Sequence, residues 1–317
     1  MRLSTTVGKR NYFLEIIISN DKIQIPVIEI VGNKPGCTLF LIAGLHGDEY
    51  EATQVVFQLN KEINFNNLSG RLIMLPIGNP LAHLAQTRNT PEIYDGKNLA
   101  REFPGNPEGS VTQRIADKIW KLIIDNCGSD DLVIDLHSGG QNYSYVQMAG
   151  IREMLLDSKQ TLQALKAARA MLIPNLWFME AVPGTLSTVA IENGIPAIGC
   201  EVEGGGSLKS QDVELYLRGV KNLMKFTGHD LEGKASEIDG NFYRTVTILS
   251  QHSGFANIYY DCFSKVSPGD VICVVLDQFG EQLEELVSAH FGQIWAIRTN
   301  PSIRKGDIIA LIKVSVN

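Results

Sequence analysis

The chain has 317 residues, 44% hydrophobic and 20% charged, a balance that supplies a sizeable core and excludes an intrinsically disordered chain. Its 28 Lys and Arg stand against 35 Asp and Glu, and a net charge of -7 speaks against wrapping a phosphate backbone, so nucleic acid is not an expected partner. The five cysteines, Cys37, Cys127, Cys200, Cys262 and Cys273, contain no CxxC pair. With no signal-peptide pattern and no run near the ~20 apolar residues of a membrane span, the expectation is a soluble cytoplasmic protein without disulfides.

From about residue 36 to 226, short apolar runs alternate with amphipathic stretches, the pattern of an α/β domain. In chain order the pattern predicts a strand over 37–44, a helix over 49–61, a strand over 71–78 and a helix over 111–125. A strand follows over 131–138, then a helix over 153–171, strands over 175–180 and 195–201, and a helix over 210–226. Several strands are apolar nearly throughout, as strands covered on both faces are. In the helix over 111–125, Ile115, Ile119, Leu122 and Ile123 recur at helical spacing. The segment from Gly78 to Ser110 carries four prolines and four glycines with little periodicity, and a loop of that length in a compact domain is often functional.

After Gly228 the helical period stops and a near-repeat begins: Gly254 to Pro268-Gly269-Asp270-Val271-Ile272, then Gly292 to Lys305-Gly306-Asp307-Ile308-Ile309. Two similar β halves resemble the barrel-sandwich hybrid of biotinyl and lipoyl carriers. No lysine lies between Lys265 and Lys305 to serve as the modified residue, so a structural or gating role is expected. Tyr259 and Tyr260 are read either as substrate contacts or as buried strand tyrosines. The domains expected are residues 1–228 and 229–317.

In LIAGLHGDEYE a strand ends at Gly44, and His46 and Glu49 follow at a spacing that lets an imidazole and a carboxylate reach one metal ion. Taken alone, His-x-x-Glu is also what a surface histidine and a helix-start glutamate look like. DLVIDLHSGG puts His137 at the end of a second strand, and open α/β sheets bind ligands beyond their strand ends. Two histidines, one glutamate and an open position make a catalytic zinc set. Asp135 shares a strand face with His137 and is placed to hold its ring. In IPAIGCEVEGGG, Glu201 and Glu203 follow a third strand, where a carboxylate is placed as a general base; a solvated loop acid is the other reading. Arg88 and Arg101, in the long loop, can grip a carboxylate or polarise a carbonyl, or can sit on the surface.

HGDE, the Asn-Pro that precedes Arg88, NLAREFPG, DLHSGG and GTLSTVAIENGIPAIGCEVEGGG occur in the order seen in the succinylglutamate desuccinylase/aspartoacylase family, related to the zinc carboxypeptidases, and the chain resembles it over about residues 36–226. The small C-terminal β domain also looks like the family's appended domain. The resemblance implies a zinc carboxypeptidase-like mixed sheet flanked by helices, with a small all-β barrel-sandwich-like domain. It implies one zinc ion on His46, Glu49 and His137, with Glu201 moving the proton of the attacking water and Arg88 stabilising the oxyanion. Arg101 resembles the arginine that holds a substrate carboxylate. Ala100 departs from the family pattern, which has asparagine there; Asn98 is the nearby amide at the substrate end, and the role of Glu203 stays open.

The function expected is therefore zinc-dependent cleavage of the amide of a small N-acyl amino acid or N-acylated amine. A zinc carboxypeptidase acting on short peptides and a non-catalytic binding protein are the alternatives. A small-molecule N-acyl substrate is the expected partner, and a homo-oligomer is left open.

Overall fold

Residues 6–18, 21–154, 156–229 and 232–314 are described by a computed structural model. The chain enters on a hairpin that the sequence reading leaves unassigned: β1 (Gly8–Ile18) runs antiparallel to β2 (Asp21–Val31), with Gly8 opposite Val31. β3 (Lys34–Ile42) follows, then α1 (Glu51–Glu62), β4 (Ser69–Leu75), the short α2 (Pro80–Ala85) and α3 (Val111–Ile124). Next come β5 (Leu132–Ser138), β6 (Tyr143–Tyr145), β7 (Met148–Arg152), α4 (Lys159–Ala170), β8 (Asn175–Met179), α5 (Leu186–Glu192), β9 (Ala197–Val202) and α6 (Ser210–Phe226).

The family-like region is a mixed sheet covered on both faces. β4, β3, β5 and β9 are mutually parallel, β7 runs antiparallel to β9, and β8 is parallel to β7. One face packs on α1, α4 and α6 through Val55, Leu59, Ala164, Ala168, Tyr216 and Leu223. The other packs on α3 and α5, where the predicted apolar set Ile115, Ile119, Leu122 and Ile123 is buried. Truncating one of these side chains to alanine removes about 2–5 kcal/mol, the transfer loss plus the cavity left behind. Double coverage also explains why β5, LVIDLHS, reads as nearly continuous apolar sequence.

One predicted element changes. The helix expected over 153–171 begins at Lys159, where the Ser158 hydroxyl accepts from the Thr161 N–H at 3.1 Å; Leu155 lies outside the described residues. The described residues between β7, which ends at Arg152, and that cap are bends and turns, too short to show a period against the helix pattern behind them.

The C-terminal strands are β10 (Phe242–Leu249), β11 (Gly254–Ile258), β12 (Lys265–Val266), β13 (Val271–Leu276), β14 (Gln282–Val287), β15 (Gly292–Arg298), β16 (Ser302–Ile303) and β17 (Ile308–Val314). The near-repeat is real in three dimensions, since β11, β12 and β13 correspond to β15, β16 and β17. Each half lends its short middle strand to the other: β12 pairs with β15, and β16 pairs with β11. One set of strands forms a four-stranded sheet, β14-β13-β11-β16. The other continues the central sheet, because β10 adds in parallel to β8 and β15 also takes β6 as an antiparallel neighbour. Backbone ladders thus join the module to the α/β region at two places.

Candidate active site

Three parallel strands deliver the site. β3 lies beside β5 with Ile42 opposite Asp135, and β5 lies beside β9 with His137 opposite Glu201. Their carboxyl ends therefore open into one crevice, and the chain leaving β3 turns at once to bring His46 and Glu49 into it. Gly47 is required in that turn, because a Cβ there would lie 2.0 Å from the backbone of Ala82. Asp48, buried, accepts from the Gln141 N–H at 2.9 Å and ties this turn to the one after β5.

His46, Glu49 and His137 converge: one potential ligand atom from each lies within 4.8 Å of the others. Each histidine turns Nδ1 toward Glu49, with His46 2.6 Å from Oε1 and His137 2.8 Å from Oε2. Each Nε2 is held from behind by an oxygen, Asn98 Oδ1 at 3.0 Å for His46 and Asp135 Oδ1 at 3.0 Å for His137. Asn98 Oδ1 also accepts from the Ala100 N–H at 2.9 Å, which marks that atom as the acceptor. His46 therefore carries its proton on Nε2. Rings held from behind in this way are the arrangement found around metal-ligating histidines.

The electrostatics favour a bound cation. Burial, reinforced by Arg88, pushes His46 down to about 4, so its Nδ1 presents a lone pair to a carboxylate oxygen. A positive ion among the three groups would relieve that repulsion. Burial opposes the charge on Glu49, but its histidine neighbours, of which His137 is the charged one, outweigh it and hold the carboxyl well below its usual range. His137 is raised, with Asp135 and Glu49 outweighing burial. A buried carboxylate with two histidine nitrogens fits a divalent metal, and the three side chains form a group that could hold one.

Glu201 and Glu203 separate cleanly. Glu201 lines the pocket with His46 and His137, and its buried Oε2 has no hydrogen-bond partner among the described residues. Burial pushes it up to about 8, aided by Glu49 and opposed by His137. Glu203 is bound to Lys209 at 2.6 Å and is not among the residues that line that pocket.

The arginines of the long loop meet at the same place. Arg88 donates to Glu49 Oε1 at 3.0 Å and stacks over Tyr143, with its guanidinium carbon 5.7 Å from the ring centre. Arg101 lines both the inner pocket and the outer one, and its Nη1 donates to the Ala100 carbonyl at 3.0 Å. Ala100 is buried in the apolar cluster beneath, and it also borders the inner pocket. Asn98, expected at the substrate end, lies against His46 and also borders the outer pocket.

The β module supplies the remaining wall. Thr245, Thr247, Ile308 and Leu311 line the inner pocket, and Arg298, Ser302 and Arg304 line the outer one. Arg298 donates to Tyr143 Oη at 3.2 Å and pairs with Asp307 at 3.1 Å, so the module braces the tyrosine on which Arg88 stacks. Tyr259 and Tyr260 lie elsewhere, on a groove of the module's surface. Sequence reasoning missed Tyr143, Tyr145 and Arg152, all pocket residues; strands of three and five residues carry too little period to reveal which face they present.

All five cysteines are free thiols, and no described helix is long and apolar enough to cross a membrane. Residues 35–227 match the model of the succinylglutamate desuccinylase/aspartoacylase catalytic domain. The chain is 32% identical over 320 residues to the N-alpha-acetyl-L-2,4-diaminobutyric acid deacetylase of Halomonas elongata, covering 96% of this chain and 91% of that protein. It superposes on the product-bound ectoine utilization protein EutE (DoeB) of Ruegeria pomeroyi with a TM-score of 0.86 at 27% identity, covering 98% of this chain and 96% of that one. A succinylglutamate desuccinylase from Silicibacter sp. TM1040 gives a TM-score of 0.82 at 26% identity, covering 98% and 95%. The matched domain and the full-length relatives place the chain in the succinylglutamate desuccinylase/aspartoacylase family of deacylases.

Proposed function

We propose that the protein is a zinc-dependent deacylase that hydrolyses the amide of a small N-acyl amino acid, with one zinc ion per chain held by His46, Glu49 and His137. The observation that carries this reading is the pairing of that cluster with the unpartnered carboxyl of Glu201 in one pocket. Zinc bound there supplies Lewis acidity at the scissile amide and makes a nucleophile available from water at neutral pH.

The chain's own groups do the rest. Glu201 Oε2 takes the proton from the attacking water and returns it to the leaving nitrogen; burial raises its pKa, which suits the return of the proton. Arg88 offers a permanent positive charge to the carbonyl oxygen as negative charge develops on it. Arg101 receives a carboxylate of the substrate, and its tie to a neutral carbonyl leaves its charge for that use. Asn98 and Asp135 keep the two histidine rings oriented.

The Halomonas relative is named for removing an acetyl group from a diaminobutyrate, so an N-acetyl amino acid is the substrate class we favour. Residues 1–228 carry the chemistry in this reading, and residues 229–317 limit substrate size, since Thr247, Ile308 and Leu311 stand in the pocket wall. That enclosure favours a small substrate over an extended peptide. Free thiols throughout fit a reducing cytoplasm. The test is hydrolysis of a panel of N-acetyl and N-succinyl amino acids and short peptides by zinc-loaded protein. Preference for the N-acyl amino acids supports the proposal, and preference for peptides favours a carboxypeptidase.

A further inference from the structure

One row of the sheet runs beneath the inner pocket. Gly150 on β7 is the register partner of Gly199 on β9 and of Trp177 on β8, so these three positions share a face, and Glu201, next but one to Gly199, shares it too. Two glycines side by side in strand interiors weaken a sheet, since neither packs a side chain. Neither has a positive φ, so the backbone does not call for glycine at either place. What they supply is room.

That room is taken by Met179. A Cβ at Gly150 would lie 3.0 Å from both Met179 Cγ and the Trp177 carbonyl oxygen, and one at Gly199 would lie 3.2 Å from Met179 Cε and 3.5 Å from its Sδ. The side chain therefore leaves β8 and lies across the pair, its methyl over Gly199, which is ~7 Å along β9 from Glu201 at the usual strand rise. Met179 is buried and lines the inner pocket. Trp177 stands beside it, with Nε1 donating to Thr245 Oγ1 of β10 at 3.1 Å, and Val182 and Leu311 complete an apolar end.

The polar groups of the pocket decide which half of a substrate meets this floor. In the deacylase reading Arg88 faces the carbonyl oxygen and lines both the inner and the outer pocket, whereas Glu201, which returns the proton to the leaving nitrogen, lines the inner one and not the outer. The acyl half therefore points outward and the amine half inward, toward Met179. The inner pocket has a volume of about 170 Å³, and an apolar cavity of ~150 Å³ holds a benzene. Once the reacting atoms are seated, a short side chain is what fits.

We infer that Met179 is a specificity-determining residue that sets how long a side chain the amino-acid half of the substrate can carry, with Gly150 and Gly199 as the positions that let it lie flat. The inference rests on the deacylase reading for its substrate class. It makes the preferred substrate an N-acyl amino acid with a short side chain. A methyl group added at Gly199 lifts the thioether into the pocket, and removal of Met179 leaves the glycines as a deeper floor.

The test is kcat/KM for the N-acetyl derivatives of L-alanine, L-2-aminobutyrate, L-norvaline and L-norleucine, a series in which only side-chain length changes. Zinc-loaded wild type, Met179→Ala, Gly199→Ala and the double variant are compared, with melting temperature as the check on folding. Wild type should favour the shorter members. The norleucine-to-alanine ratio should rise roughly 10–100-fold in Met179→Ala, the order expected of a methylene in an apolar pocket, and should fall in Gly199→Ala. In the double variant the added methyl has no thioether to lift, so the ratio should match that of Met179→Ala. Fastest turnover of the norleucine compound by wild type, an unchanged ratio in both single variants, or single effects that add in the double variant would overturn the inference. If Met179→Ala does not fold, Gly199→Ala decides alone.

Binding provides a readout independent of turnover: calorimetry of the four compounds with Glu201→Gln protein, with and without Met179→Ala. A shift of the tightest binding to longer side chains on removal of Met179 supports the inference. An unchanged length dependence, or no binding of any compound, sinks it. If wild type hydrolyses none of the four, the deacylase reading fails separately, and the binding series still decides on Met179.

Discussion

Asn98 Oδ1 lies 3.0 Å from His46 Nε2, and this contact determines which nitrogen of His46 faces Glu49. Asn98→Ala removes it without touching a ligand atom. Weakening of metal binding by about 10–100-fold is expected, the usual effect of losing an oxygen partner behind a ligating imidazole. Zinc competition with a chromophoric chelator measures this, and unaltered affinity would show that His46 is oriented by its packing alone.

Glu201 is separated from the ligand cluster in role. Glu201→Gln keeps the shape and removes the carboxylate, so hydrolysis should fall by ~10²–10⁴-fold. Zinc content and melting temperature should be unchanged. Glu203→Gln should leave activity within about threefold, because its carboxylate is engaged by Lys209 in a half-exposed ion pair of small worth. Kinetics on the two variants side by side distinguish the strand-end glutamates.

Asp95 anchors the long loop to α3. Its carboxylate accepts from the Thr112 N–H at 2.7 Å and from the Thr112 hydroxyl at 2.5 Å, and it also accepts from the Lys97 N–H at 3.2 Å. Burial opposes the charge, but the Thr112 bonds outweigh it and lower the pKa. A carboxyl depressed in the folded state contributes stability above its unfolded pKa of ~3.9, and loses it as pH falls through the folded value. Asp95→Ala should therefore cost about 1 kcal/mol at pH 7, discounted for partial exposure, and the difference from wild type should shrink toward pH 3. Urea unfolding at the two pH values tests the sign.

Arg298 joins the β module to the site through Tyr143 and Asp307. Arg298→Met leaves Asp307 with only its bond from the Arg304 N–H and Tyr143 without its brace, and should lower stability by about 1–2 kcal/mol. A kcat reduction with little change in KM is expected as well, because Arg88 stacks on the same tyrosine. Unchanged kcat would mean that Arg88 is held by Glu49 alone.

Much of this architecture was legible in the sequence, for identifiable reasons. Strands buried on both faces read as continuous apolar runs and helices with one apolar stripe carry a strong period, so the α/β region and α3 are where the pattern predicts them. His46, Glu49, His137 and Glu201 stand at the ends of those same strands, and strand-end placement brings residues 46, 137 and 201 together. The β repeat was visible, but the exchange of β12 and β16 between its halves depends on long-range pairing that no local pattern encodes. Asn98 was expected near the substrate, and only the folded 78–110 segment shows it behind His46. Arg152 was hidden because its place in the pocket depends on the pairing of β7 with β9, which a strand of five residues does not reveal.

The most direct test of the central claim is amide hydrolysis of an N-acetyl amino acid by wild-type protein before and after complete metal removal, with metal content measured in parallel. Stoichiometric zinc in the active protein is the expected result, with activity lost on removal, restored by one equivalent of zinc, and not restored in Glu49→Gln. Hydrolysis that survives removal of all metal, or that Glu49→Gln retains in full, would contradict the account.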